Sequence, residues 1–298
     1  MPAPASVQTM ETSMSKTVNS YLMPFSNVAH LPLAEKFEAT RIAGYDALSL
    51  MPYEVDQLEV AGISPKEVRR RADDAGMRIL RLDPLNTWSR VWLPDNMDDA
   101  YIATVDTRQE RVFALCAELG CRSISLNATF PLGSMPMDAI IEDYAKICAA
   151  SARFDLDCSL EFIPLWGVPT LAMAWQVVEG AGAKNGGLVF DTWHCVRGKS
   201  NLADLRKIPG DKIHCVQLND GPLELPAGVT IKDDCYDRKF PGDGQFPNVE
   251  IVRVLTETGG LNQVGAEVFS PMLKAMSARE VGEISRMSVE EVLRLALS

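Results

Sequence analysis

Three histidines serve the whole 298-residue chain, and its seven cysteines are odd in number, scattered, and contain no C-x-x-C pair. The cysteine pattern excludes a disulfide framework and reads as free thiols in a reducing, cytoplasmic compartment. The shortage of imidazoles excludes a multinuclear zinc cluster of the kind that draws heavily on histidine. Basic residues are also in deficit: 29 Lys and Arg stand against 40 Asp and Glu, for a net charge of -11. A duplex nucleic-acid partner needs a basic face, so it is not expected. No apolar run approaches the length of a bilayer span, so no membrane partner is expected either. The first sixteen residues, MPAPASVQTMETSMSK, lack an apolar segment and read as a flexible N-terminal tail rather than a signal peptide. Missing too is a G-x-G-x-x-G loop after the first strand-like run, where Pro24-Phe25-Ser26-Asn27 stands instead. That argues against a doubly wound nucleotide-binding sheet.

What is present is alternation. Strand-like runs fall at 18–23, 46–51, 78–82, 123–127, 158–163, 187–191, 213–218 and 264–269, with helical patterns between them. Gly44, Gly76, Gly120 and the Gly259-Gly260 pair close four of those helices just before a strand, as a left-handed C-cap does. One long helix is expected from about Asp98 to Leu119. Capping boxes are expected at Ser64-Pro65-Lys66-Glu67 and Ser288-Val289-Glu290-Glu291. Eight βα units in 298 residues imply a single (β/α)8 TIM barrel over residues 17–298. The amphipathic C-terminal helix should cover the barrel wall or meet a second subunit, so a homo-oligomer is left open.

Four of the later strands each bury one oxygen donor among apolar neighbours: Glu161, Asp191, Gln217 and Glu267. Buried carboxylates are costly unless paired or metal-bound. In a barrel these positions fall at the C-terminal rim, where active sites of this architecture lie. An oxygen-only set suits one divalent ion, Mn or Mg first and Co next. If three carboxylates cluster there, Asp191→Asn without metal should relieve repulsion and leave stability unchanged or raised. His194, beside Asp191, is the candidate for acid–base work or substrate contact, and His30 is a second pocket candidate. His214 lies early in its strand and reads as structural. Trp88, Trp92, Trp166 and Trp193 fall in loops or at strand tips and are candidates to line a pocket for a ring or an apolar appendage.

The segments Leu160-Glu161-Phe162-Ile163-Pro164, Phe190-Asp191-Thr192-Trp193-His194, Val216-Gln217-Leu218-Asn219-Asp220 and Glu267-Val268-Phe269 resemble the xylose isomerase-like barrel family of sugar phosphate isomerases and epimerases. The resemblance runs from about Val18 to Phe269. It implies that Glu161, Asp191 and Glu267 bind one divalent metal. It also implies that the two glutamates exchange protons on opposite faces of the substrate carbon and that His194 touches substrate oxygen. The stretch Arg238-Lys239-Phe240-Pro241-Gly242-Asp243-Gly244 is similar to an epimerase loop that supplies a substrate-binding arginine, here Arg238; Trp193 and His30 are counted with His194 and Arg238 as substrate-binding candidates. Two positions depart from the epimerase pattern. Gln217 replaces the usual strand-seven histidine, as in dehydroshikimate dehydratases, and Gly167 stands where epimerases carry a further glutamate.

The first expectation is therefore a metal-dependent isomerase or epimerase of a sugar-like hydroxy-ketone, acting through an enediolate. The alternative is a dehydratase or lyase, akin to 3-dehydroshikimate or inosose dehydratase, that shares the enolate. A non-catalytic metal-binding barrel subunit ranks last, because both glutamates are intact. The expected partner is a small sugar-like or cyclic polyol-ketone molecule.

Overall fold

The computed structural model describes residues 18–298; the expected tail, 1–16, lies outside the described residues. Eight parallel strands run in sequence order: β1 Leu22–Met23, β2 Ala47–Leu50, β3 Arg78–Leu85, β4 Ser123–Asn127, β5 Asp157–Glu161, β6 Gly186–Asp191, β7 Ile213–Leu218 and β8 Val264–Ala266. A parallel bridge between Tyr21 and Val264 brings the last strand to the first, so the sheet forms a nearly closed (β/α)8 barrel. No described helix is long and apolar enough to cross a membrane.

Sequence and structure part company at a few edges, each for a physical reason. Strand β1 is two residues long rather than six. Its upstream residues bond only towards β8, with Asn19 N donating to Leu261 O and Val264 N to Ser20 O. Strand β3 extends three residues beyond the expected Leu82, to Leu85. The expected long helix is two, Asp99–Val105 and Gln109–Leu119, broken at Asp106–Arg108. The break swings the first piece across the barrel mouth, so that Tyr101, Thr104 and Val105 line the central cavity.

The last helix runs Ala278–Leu297 and carries its capping box at Ser277 and Glu280, not at Ser288, which lies inside the helix. At Ser64 the N-cap forms, accepting from Glu67 N, but the Glu67 carboxylate turns to Arg70 and Arg71 instead of closing a box. The C-terminal helix packs on the helix Leu33–Ile42, where a Cβ at Gly282 would meet Ala39 O and Ile42. Before β5, where no glycine is available, Asp155 takes the left-handed turn at φ 55°.

His214 shows how tightly the barrel interior is filled. Its Nδ1 lies 3.1 Å from Ser159 Oγ, and a Cβ at Gly187 would run into the imidazole. Burial, then the charges of Arg81 and Lys212, push its pKa down to about 3. The sign follows directly. A base depressed in the folded state adds stability above its unfolded pKa and loses it as pH falls towards the folded value. His214→Gln should therefore flatten the stability profile between about pH 6.5 and pH 3. It should remove a dependence of about 4 kcal/mol, read from denaturant midpoints across that range. A profile identical to wild type would show that His214 does not titrate on unfolding.

Candidate active site

The site forms where strands end. Glu161 is the last residue of β5 and Asp191 the last of β6. Gln217 pairs with Asp191 in register, one residue before β7 ends. Glu267 follows β8 directly, and its N–H donates to Leu218 O, continuing the ladder. All four side chains are buried at the same rim. Asp191 also caps the short helix Thr192–Arg197 by accepting from His194 N at 2.9 Å, which turns the imidazole back over the strand ends.

Contacts among these groups are direct. His194 Nε2 lies 3.1 Å from Glu161 Oε1, while His194 Nδ1 is buried with no partner. Gln217 Nε2 donates to Glu267 Oε1 at 2.8 Å. Arg238 Nη1 bridges Asp191 Oδ2 at 2.9 Å and Glu267 Oε2 at 3.3 Å. The Arg238 guanidinium is stacked between Trp193 and Phe269, 5.0 and 4.9 Å from the ring centroids, and donates to the carbonyl and sulfur of Cys235. Trp193 itself is fully covered, with Nε1 donating to Asp234 Oδ2 at 2.6 Å. It supports Arg238 from behind and is not among the residues lining the cavity.

The Arg238 loop is shaped by Asp220. Its carboxylate accepts from the backbone N–H groups of Gly221, Gly242 and Phe246 and from Asn248 Nδ2. A Cβ at Gly244 would run into Asp220, so glycine there lets the loop close over the carboxylate.

Charge is concentrated here. Burial and then the Glu161 charge raise the Glu267 carboxyl well above the usual range, with Arg238 only partly offsetting them. Burial also opposes ionisation of Asp191. There, however, Arg238, His194 and the accepted hydrogen bonds win, and the carboxyl is held below its ordinary value.

These positions fit a divalent cation. Glu161, Asp191 and His194 offer ligand atoms within 4.8 Å of one another. Gln217 Oε1 is buried with no partner, an orphaned acceptor that a cation would satisfy. Glu267, the fourth candidate, is drawn towards Arg238 and Gln217. At Asp191 the expected repulsion is outweighed, since the Arg238 guanidinium already stands between Asp191 and Glu267 and holds the Asp191 carboxyl below its ordinary value. Asp191→Asn would set an amide donor against Arg238 and Asn219, whose Nδ2 donates to Asp191 Oδ2 at 2.9 Å. Without metal the variant should lose stability, on the order of 2 kcal/mol, and with metal more. Thermal melts with and without chelator check this; a gain in stability in chelator would restore the repulsion account.

The rim encloses a cavity of about 230 Å³. Its outer wall is apolar, with Phe25, Met97, Tyr101, Ile163, Trp166 and Phe269, and its floor carries Glu161, His194, Arg238 and Glu267. Of the four tryptophans considered, Trp166 lines it; Trp88 is buried against Asn127 O, and Trp92 is not among the lining residues. His30 is not there either. Its Nε2 lies 2.9 Å from Met276 O, beside a separate groove on the far side of Phe269.

Among the lining residues that escaped the sequence reading are Asp83 and Asn127. Asp83 carried the same signature as Glu161 and Asp191, a carboxylate after an apolar run. Ending β3 at Leu82 left it one residue outside. Burial first, then Glu161, push its carboxyl up to about 7.

The profile of the xylose isomerase-like TIM barrel family matches residues 37–286. The chain belongs to this family. A 3-dehydroshikimate dehydratase from Pseudomonas putida is 29% identical over 274 residues, 89% of this chain and 41% of that protein. The chain thus spans well under half the length of that relative. An inosose isomerase from Halalkalibacterium halodurans is 31% identical over 142 residues, 47% of this chain and 49% of that protein. Among solved structures, the IOLI protein with a binding zinc atom superposes with a TM-score of 0.77 at 18% identity, covering 92% of this chain and 98% of its own. That likeness speaks to the fold.

Proposed function

We propose that the cavity is the active site of a divalent-metal-dependent enzyme that enolises a hydroxylated ring ketone and expels a β-hydroxyl as water. The observation that carries this is the division of the floor into two buried proton-handling units. Glu267, held by Arg238 and Gln217, forms one, and Glu161 with His194 forms the other. A divalent ion held by Glu161, Asp191, Gln217 and Glu267 would supply Lewis acidity for the charge developing on the substrate carbonyl oxygen.

The protein's own groups do the rest. Glu267, its carboxylate held by Arg238 and Gln217, takes the proton from the carbon beside the carbonyl. The C–H electron pair becomes the enolate. The β C–O bond then breaks as His194 gives its proton to the departing hydroxyl, leaving a conjugated ketone and water. Arg238 holds Glu267 in place, and the aromatic wall excludes solvent.

Dehydration comes ahead of isomerisation, the reverse of the order taken from sequence, for two reasons. A Cβ at Gly167 would run into the Phe130 ring, so the position of the epimerases' further glutamate has no room for a side chain. The dehydratase match also spans 89% of the chain, against 47% for the isomerase. The isomerase reading keeps one specific support, the Arg238 loop: the same enolate reprotonated by Glu161 would give a rearranged or inverted product. Incubation with Mn and either 3-dehydroshikimate or an inosose in deuterated water separates the two. Loss of water supports dehydration, seen as an aromatic product from 3-dehydroshikimate or as new conjugated-ketone absorbance from the inosose. Deuterium at the α carbon with no water lost supports isomerisation. Neither with either ring would overturn the proposal.

A further inference from the structure

Across the cavity from Arg238 stands a second polar group that the proposed reaction does not use. Asp83, just inside the end of β3, is 3% exposed and lines the cavity, and its Oδ2 has no hydrogen-bond partner. Asn127, the last residue of β4, lines it too, with Oδ1 buried and unpartnered. Asn127 pairs in register with Glu161, so this patch adjoins the reacting end. Buried polar atoms without partners are uncommon, and two in one cavity wall point to a ligand that completes them.

The chemistry of that ligand follows from charge. Asp83, Glu161 and Glu267 line the cavity and Asp191 stands behind them. Among the described lining residues, Arg238 is the one lysine or arginine, and it is already committed to Asp191 and Glu267. One divalent ion would bring the four carboxyls and the guanidinium close to neutral, with no cation left to receive a carboxylate. A hydroxyl, in contrast, suits both orphaned atoms. It donates to Asn127 Oδ1. It meets Asp83 in either protonation state, donating to the carboxylate or accepting from the acid.

We propose that Asp83 and Asn127 form a hydroxyl-reading subsite that selects uncharged polyhydroxy ring ketones and disfavours rings bearing a carboxylate. This rests on the reaction proposed above and separates the chain in substrate from the 3-dehydroshikimate dehydratases it matches. Asp83 lies within strand β3, so the selection is built into the barrel wall rather than into a loop.

The test compares an inosose, uncharged, with 3-dehydroshikimate, a carboxylate, as substrates of the Mn-loaded full chain. The readouts are deuterium exchange at the α carbon and kcat/KM. Wild type should prefer the uncharged ring by at least about tenfold, the discrimination expected when a charge meets an unpaired buried carboxyl. Asp83→Asn keeps the shape and removes the charge; it should lower that ratio by about tenfold, mostly through KM. Equal efficiency on the two rings, or preference for the carboxylate, would overturn the subsite while leaving the reaction standing. An unchanged ratio in Asp83→Asn would do the same. Absence of exchange with both rings would overturn the reaction and the subsite together. The wild-type ratio decides the question even if the variant fails to fold.

Discussion

Glu267→Gln should reduce turnover by about 10²–10⁴-fold, the usual cost of losing a general base, while metal binding survives. The geometry explains why the two effects should separate. Glutamine keeps one oxygen able to serve a cation and roughly preserves the volume of a side chain that is 3% exposed. It loses the only feature that accepts a carbon-bound proton. Its amide must also face Arg238 Nη1, now 3.3 Å from Oε2, and Gln217 Nε2, now 2.8 Å from Oε1. One of those contacts becomes donor against donor, so some weakening of metal affinity is expected as well. The measurement is kcat at saturating Mn with metal occupancy determined on the same samples. Full occupancy with unchanged kcat would make Glu267 a ligand alone and move the base to His194. His30, the other imidazole considered for this role, is not among the cavity-lining residues.

The barrel was legible because its signals are local. Glycines at left-handed helix ends and apolar runs closing on a polar tip need no knowledge of the rest of the chain. Glu161, Asp191, Gln217 and Glu267 were legible by the same rule, since a buried polar side chain in an apolar strand must have a partner. The partner itself was harder to read. That Arg238 lies between Asp191 and Glu267 depends on a loop folded around Asp220, and no spacing in the sequence announces it. Trp193 looked like a pocket wall and proves to be the platform beneath that arginine. Asp83 was missed because a strand end was placed three residues early. The errors therefore gather where long-range packing decides which face of a tip residue meets the cavity.

Arg238→Met should cost about 3–5 kcal/mol in chelator, the range for removing one partner of a buried charged group. Methionine fills the slot between Trp193 and Phe269 with a flexible apolar chain, so packing is largely kept and charge is what changes. Asp191, completely buried, would lose the contact that holds its carboxyl below the ordinary value, and Glu267 would lose the charge that partly offsets its burial. Both carboxyls should then favour the protonated form in the folded state. A carboxyl raised by folding stabilises below its unfolded pKa, and that contribution is lost as pH rises through the folded value. Without metal, the variant should therefore be more stable at pH 5 than at pH 8. Saturating Mn or Mg should restore much of the loss at pH 8, because a cation binding only the folded state replaces the missing guanidinium charge. The variant's melting temperature should accordingly rise more on metal addition than that of the wild type. Melts at both pH values, with and without metal, read all of this at once. Equal metal responses in the two proteins would show that Arg238 and the cation do not share these carboxylates, and the ligand set would have to be rebuilt around Glu161, Asp191 and His194, whose donor atoms already lie within 4.8 Å of one another.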